Sequence, residues 1–290
     1  MRVLITGATG YIGKNLCGFL QNRQVEVLAV VRKESNLSGI QGIPYFVYDN
    51  TTESLINAIA EFQPDVVVHL ATCFIGRHMA DQIEDLVDSN ILFGVRLLEA
   101  MSSCGVNRFI NTATAWQYVG NSPYRPVSLY AATKQALEDI LVYYTEDRGI
   151  KVITLILNDT YGPVDSRPKV LNLLKNVVKT GQVLEMSPGE QEMNFLYIDD
   201  VVSAYWIAIQ RCMSSETPAE VFDVMSSKAI PLRQVAELFE KVNGITLPVK
   251  WGAKPYREKE IMKAYQPKKP LPGWKPLISM EEGLQLFFAD

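Results

Sequence analysis

The chain has 290 residues, of which 48% are hydrophobic and 21% charged, with a formal net charge of -4. That length and apolar content bury a large core, in one α/β domain or two smaller ones. The absence of a basic excess sets nucleic acid aside as a partner, and no run reaches the roughly 18 apolar residues of a membrane span.

Cys17, Cys73, Cys104 and Cys212 lie far apart with no Cys-x-x-Cys, which suits a reducing compartment. The opening MRVLITGATG is a short apolar run stopped by glycine, without the length or cleavage site of a signal peptide. The expectation is a cytoplasmic protein with no resident metal.

In chain order, apolar and largely β-branched runs predict strands over Arg2 to Thr6, Val25 to Val31, Tyr45 to Tyr48, Val66 to Leu70, Phe109 to Thr112 and Val152 to Leu157. Between them, helices are predicted over Tyr11 to Asn22, Thr52 to Phe62, Ile83 to Ser103 and Leu129 to Arg148. Strands apolar throughout are buried on both faces, and their alternation with helices predicts a doubly wound parallel sheet, a Rossmann-type α/β fold. After Gly162-Pro163 the rhythm breaks, prolines cluster from Pro248 to Pro276, and only a short strand such as Val221 to Val224 is read. The expected division is a dinucleotide-binding domain over 1–162, rejoined by a segment near 191–225. A smaller mixed substrate-binding region covers 163–190 and 226–290.

The first chemical signal is Gly7-Ala-Thr-Gly-Tyr-Ile-Gly13, directly after the first strand and at the start of the first helix. Glycines there let the backbone approach a pyrophosphate, and the helix N-terminus offers unpaired N–H groups and partial positive charge. Gly7, Thr9, Gly10, Tyr11, Ile12 and Gly13 are therefore candidate cofactor residues. The second strand ends Val31-Arg-Lys-Glu-Ser35, basic where an NAD site places an acid. Arg32, helped by Lys33 or Ser35, suits a 2′-phosphate, so NADP(H) is expected over NAD, with Glu34 as the competing ribose partner.

The second signal is Tyr130 four residues before Lys134. On a helix these stack on one face. The other Tyr-x-x-x-Lys, Tyr265 to Lys269, contains Pro267 and precedes Pro270, so it is not expected to be helical.

The glycine spacing, the helix pair, and Asn111-Thr-Ala-Thr-Ala-Trp-Gln-Tyr118 together resemble the extended short-chain dehydrogenase/reductases. That resemblance implies Thr114, Tyr130 and Lys134 as the catalytic set: a phenol that donates a proton, an ammonium that stabilises the phenolate, and a hydroxyl that orients the substrate oxygen. It also implies cofactor roles for Asp49 at the adenine, for Leu70, Ala71 and Thr72 beside the nicotinamide, for Lys134 at its ribose, and for Asn90 in support of the site. A homodimer through the helices Ile83 to Ser103 and Leu129 to Arg148 follows by the same analogy. His69 reads as a packed core residue.

Within that family, dehydratases carry Thr-Asp-Glu where this chain has Thr114-Ala115-Trp116, so water elimination lacks its acid and base. Pro126-Val-Ser-Leu-Tyr-Ala-Ala-Thr-Lys-Gln-Ala-Leu-Glu-Asp139, Asp159-Thr-Tyr-Gly-Pro163 and Trp251-Gly-Ala-Lys-Pro-Tyr-Arg257 are similar to the bacterial CDP-sugar 4-ketoreductases of O-antigen synthesis. The implied activity is NADPH-dependent reduction of the C4 ketone of a nucleotide-linked 4-keto-deoxyhexose, a CDP-4-keto-3,6-dideoxyhexose in the favoured case. An NAD-retaining nucleotide-sugar 4-epimerase and a catalytically silent dinucleotide sensor stay open as alternatives. Ile156, Asp159 and Met193 stand where the family commonly has Arg, Asn and Arg. Asp159, Arg167, Lys169, Asn172 and Arg257 are the candidates to hold the nucleotide diphosphate and sugar instead.

Overall fold

A computed structural model describes residues 1–289. The first half alternates strand and helix: β1 (Arg2–Thr6), α1 (Tyr11–Gln21), β2 (Glu26–Val31), β3 (Tyr45–Val47), α2 (Thr52–Phe62), β4 (Val66–His69), α3 (Ile83–Val87), α4 (Phe93–Ser103), β5 (Arg108–Thr114), α5 (Leu129–Arg148) and β6 (Lys151–Leu157). Then come β7 (Asp159–Tyr161), α6 (Val170–Thr180), β8 (Leu184–Glu185), β9 (Glu192–Met193), β10 (Phe195–Tyr197), α7 (Ile198–Ser214) and β11 (Ala219–Val224). The chain continues through β12 (Ile230–Pro231), α8 (Leu232–Asn243), β13 (Val249–Lys250) and α9 (Met280–Ala289).

Seven strands form one sheet in the order β11-β6-β5-β4-β1-β2-β3, and every pairing within it is parallel. Alternate side chains feed opposite faces. Val3, Ile5, Val66 and Val68 join the core under α1 and α7, whereas Leu4, Val67 and Phe109 join the one under α2, α4 and α5. Both faces are covered, which is why these strands are apolar at every position. The strand order reverses between β1 and β4, so the crevice for a ligand lies at their carboxyl ends.

The long helix expected over Ile83 to Ser103 is interrupted. Between α3 and α4 a π turn, Asp88–Leu92, widens the backbone around the buried Asn90. The late region also carries more strand than its sequence suggests: β10 pairs with β7, β12 with β9, and β13 with β8. Each of these strands is two or three residues long, too short for a period of two to register. The strand read at Val221 to Val224 begins two residues earlier and forms the edge of the main sheet against β6.

Asp200 fastens the tail at three points. Asp200 on α7 accepts the Leu277 and Ile278 amides at 2.9 and 3.0 Å, and its carbonyl accepts the Trp274 indole N–H at 3.0 Å. Among the described residues, no helix is long and apolar enough to cross a membrane.

Candidate active site

The crevice at the strand reversal is a cavity of about 860 Å³, and its floor is the glycine loop. Gly7 has φ +69°, and a Cβ there would stand 2.5 Å from the Ala71 amide nitrogen, so this loop and the one after β4 touch backbone to backbone. A Cβ on Gly13 would collide with the Gly7 carbonyl. Gly10 caps α1 without a side chain, and the first turn of the helix holds no acid. The result is an open, side-chain-free cradle at a helix N-terminus, which fits a pyrophosphate. Gly7, Thr9, Gly10, Tyr11, Ile12, Gly13, Arg32, Leu70, Ala71 and Thr72 all line the cavity, as the motif reading requires.

Lys33, Asp49, Asn90 and Lys134, also expected at the cofactor, do not line the cavity. After β2 it is Arg32, Glu34 and Ser35 that line it, without Lys33. The Ser35 hydroxyl accepts the Arg32 amide at 3.0 Å and tightens that turn. After β3 it is Tyr48 and Asn50 that line it. Asp49 turns toward α2, its carboxylate accepting the Thr51 amide and hydroxyl at 3.0 and 2.7 Å.

At the other end of the cavity, α5 delivers the catalytic candidates. Ser128 caps the helix by accepting the Ala131 amide at 3.3 Å, and Gly149 ends it in the left-handed conformation. This fixes Tyr130 and Lys134 within the first two turns, facing β5. Tyr130, Thr114 and Thr72 line the cavity together; burial pushes the Tyr130 phenol up to about 12, with the Thr114 and Thr72 hydroxyls pulling the other way. The phenol therefore keeps its proton at neutral pH. Lys134 sits one turn deeper, only 3% exposed. Burial brings its ammonium down to about 8, while the Glu138 carboxylate, one further turn along, pulls it back up.

Asn90 reaches this site indirectly. Its carbonyl accepts the Thr72 hydroxyl and the Cys73 amide at 2.9 and 2.8 Å. Its NH2 donates to the Cys73 carbonyl and the Thr133 hydroxyl at 3.0 and 2.9 Å. The Thr133 hydroxyl in turn donates to the Tyr130 carbonyl. With all four amide positions used, Asn90 clamps the loop after β4 to α5 and leaves no group for a ligand. His69 is fully buried, bonded to the Thr6 hydroxyl through Nδ1 at 2.8 Å, and burial first and Lys134 second hold it down at about 3, hence neutral.

A second cavity, about 1380 Å³, adjoins the first. Phe74, Trp116, Asn158, Asp159, Thr160 and Lys169 line both, so the Tyr130 end of the first cavity opens directly on the second. Asn172 and Arg257 line the second cavity alone. Arg167 is committed within the chain: it binds Asp165 in two bonds of 2.8 and 2.7 Å, donates to Thr160, and lies 4.3 Å from the Tyr11 ring centre. Lys169 pairs with Asp159 at 3.0 Å. Asn172 donates to the Arg167 carbonyl at 2.9 Å.

Sequence reasoning missed Phe74, Gln117 and Glu138. Gln117 is fully buried, accepts the Thr114 amide at 3.0 Å and donates to Glu138 at 2.7 Å. The i+4 spacing from Lys134 was the available signal for Glu138.

A parallel sheet with a glycine-floored crevice and a buried Tyr–Lys helix pair defines a dinucleotide-fold enzyme class, and the chain belongs to the NAD dependent epimerase/dehydratase family, whose model matches residues 3–224. It is an enzyme of the nucleotide-sugar-modifying kind. Among curated proteins it is 27% identical over 263 residues to a CDP-abequose synthase of Yersinia pseudotuberculosis, covering 90% of this chain and 91% of that one. Among solved structures it is similar to the UDP-glucose 4-epimerase of Thermus thermophilus in complex with NAD, with TM-score 0.84, 25% identity, and coverage of 100% and 98%. The UDP-glucose 4-epimerase of Thermotoga maritima with UDP-glucose shares the fold at TM-score 0.86 and 22% identity, covering 100% of this chain and 98% of that one.

Proposed function

We propose that this protein is an NADPH-dependent reductase of the C4 ketone of a nucleotide-linked 4-keto-deoxyhexose, with a CDP-4-keto-3,6-dideoxyhexose as the favoured substrate. The observation that carries the reading is the buried Tyr130–Lys134 pair on α5, with Tyr130 and Thr114 lining the first cavity beside the Trp116 wall it shares with the second. The dinucleotide, when bound over Gly7 to Gly13 with its 2′-phosphate at Arg32, supplies the hydride. Tyr130 gives its proton to the carbonyl oxygen, and the Lys134 ammonium stabilises the phenolate left behind. Thr114 donates to the same oxygen and fixes the carbonyl's direction.

Trp116 stands where a dehydratase carries a carboxyl, and the Asp159 carboxylate on the shared wall is already paired with Lys169. Elimination therefore lacks a free acid and base at the carbon skeleton, while carbonyl reduction needs only the one proton donor that Tyr130 supplies. Lys169, Asn172 and Arg257 on the second cavity would face the nucleotide diphosphate. A homodimer through α3, α4 and α5 belongs to the same reading, and Ile83 and Val87 on α3 and Val142 and Tyr143 on α5 are exposed. So does the division into a dinucleotide domain over 1–162 with 191–225, and a substrate region over 163–190 and 226–290.

The test is incubation of purified protein with NADPH and CDP-, dTDP-, GDP- and UDP-linked 4-keto sugars. Stoichiometric NADPH loss is expected with one of them. Interconversion of sugars without net cofactor use, as the epimerase names of the structural neighbours would suggest, refutes the reductase. Tyr130→Phe is expected to remove most turnover while leaving cofactor affinity within a few-fold.

A further inference from the structure

The wall shared by the two cavities is aromatic where it meets the proton donor. Phe74, in the loop after β4, stands edge-on to Tyr130 with ring centres 4.9 Å apart and planes at 77°. It meets Trp116, after β5, at 5.3 Å and 61°, and Trp116 stands edge-on to Tyr130 at 6.4 Å and 78°. Gly76 carries the loop across the indole, where a Cβ would be 3.6 Å from the ring. Although it packs on two rings, Phe74 remains 47% exposed, and its free face lines both cavities.

The two charged groups beside these rings are paired with each other. Asp159 and Lys169 are paired at 3.0 Å, and the Lys169 ammonium lies 4.8 Å from the Phe74 ring centre. In the proposed reaction the Thr114 and Tyr130 hydroxyls, which line the first cavity, are taken up by the reacting oxygen. A ring carbon next to that oxygen therefore meets aromatic carbon. A hydroxyl packed on the rings would lose water and gain no partner from them, whereas a hydrogen or a methyl group would be buried without that loss.

We infer that Phe74 and Trp116 are specificity-determining residues, an apolar wall that selects sugars bearing hydrogen in place of hydroxyl, or methyl in place of hydroxymethyl, beside the carbonyl carbon. The inference rests on the reading that Tyr130 protonates a sugar carbonyl, and it adds the side chains that choose the sugar. The discrimination expected of an apolar wall is about 10- to 100-fold.

The experiment is calorimetric binding of a CDP-linked 3,6-dideoxyhexose and of CDP-glucose to the NADP-loaded protein, to Trp116→Thr and to Phe74→Ala. Melting curves establish that each variant is folded; Phe74→Ala, at an exposed position, is the variant with least effect on the core. The unaltered protein is expected to bind the dideoxy sugar about 10- to 100-fold more tightly, and each variant to cut that ratio at least threefold. Equal affinities, a ratio unchanged in both folded variants, or no binding of either sugar overturns the inference. NADPH oxidation with 4-keto sugars is followed in parallel, which separates the two claims. A persistent ratio without oxidation removes the reductase and keeps the wall; oxidation with equal affinities does the reverse.

Discussion

Replacing Glu138 by Gln removes one negative charge from behind Lys134 while keeping an oxygen in place to accept the 2.7 Å bond from Gln117. On a helix, side chains at i and i+4 stand about 6 Å apart. Opposite charges at that distance, in an effective dielectric of about 20, attract by about 2.8 kcal/mol, equivalent to about 2 pKa units. The Lys134 ammonium, at about 8 with Glu138 present, should then titrate near 6. His69 from β4, the other group that interacts with Lys134, is neutral and does not replace the lost charge.

The direct assay is 13C NMR titration of the lysine Cε resonances in the cofactor-free protein, with the Lys134 signal identified by its loss in Lys134→Arg. The kinetic assay is the alkaline limb of kcat/KM, where the protonated ammonium is the active form, so activity falls as pH rises through the lysine's pKa. That limb should move from near pH 8 to near pH 6, with turnover at pH 7.5 reduced about 25-fold. A Lys134 resonance that titrates within half a unit of its original position in Glu138→Gln would refute the electrostatic argument.

Other perturbations test other parts of the site. Lys134→Met should abolish turnover yet stabilise the cofactor-free protein. The folded-state pKa of about 8 lies below the model 10.5, so the buried ammonium costs stability at neutral pH, a cost that fades as pH rises from about 8 toward 10.5. The gain is at most about 3 kcal/mol near pH 7 in urea unfolding, and an unchanged midpoint would contradict it. Gly13→Ala forces a Cβ onto the Gly7 carbonyl, whereas Gly18→Ala, in the same helix, meets nothing within 4 Å. The first should weaken dinucleotide binding at least tenfold by fluorescence titration; the second should leave it intact and raise stability by up to about 1 kcal/mol. Arg32→Asp should shift the NADPH-to-NADH affinity ratio toward NADH by about 10- to 150-fold, the value of a lost charge-assisted bond. An unchanged ratio would remove Arg32 from the cofactor argument.

Much of the site could be read from sequence because local chemistry encodes it. Ser128 and Gly149 bound α5 at both ends, so the Tyr130–Lys134 spacing carried its meaning directly into three dimensions. The glycine loop was legible for a similar reason, since three glycines at a strand-to-helix junction have few other uses. Long-range partners were not legible. Asn90 was visible, but its four bonds reach Thr72, Cys73 and Thr133 across 17 to 43 positions. Arg167 was visible as a cation, yet its pairing with Asp165, only two residues earlier, depends on how the loop after β7 turns. Phe74 and Trp116 come from two loops without periodicity, and only the sheet brings them together. The strands from β7 onward, β11 apart, are too short for any pattern, and their pairings are set by tertiary context.

The Asp200 anchor has a consequence for the order in which the protein is made. The partners it holds lie 74 to 78 positions later in the chain, and Phe287, close behind them, lines the second cavity. Synthesis from the N-terminus completes β1 to β6 and the glycine cradle long before those residues leave the ribosome. A nascent chain stalled short of Trp274 would have the whole dinucleotide half available, while the adjoining chamber lacked part of its lining and the carboxylate on α7 lacked its partners. During biosynthesis, the glycine cradle is thus complete before the second cavity has its full lining.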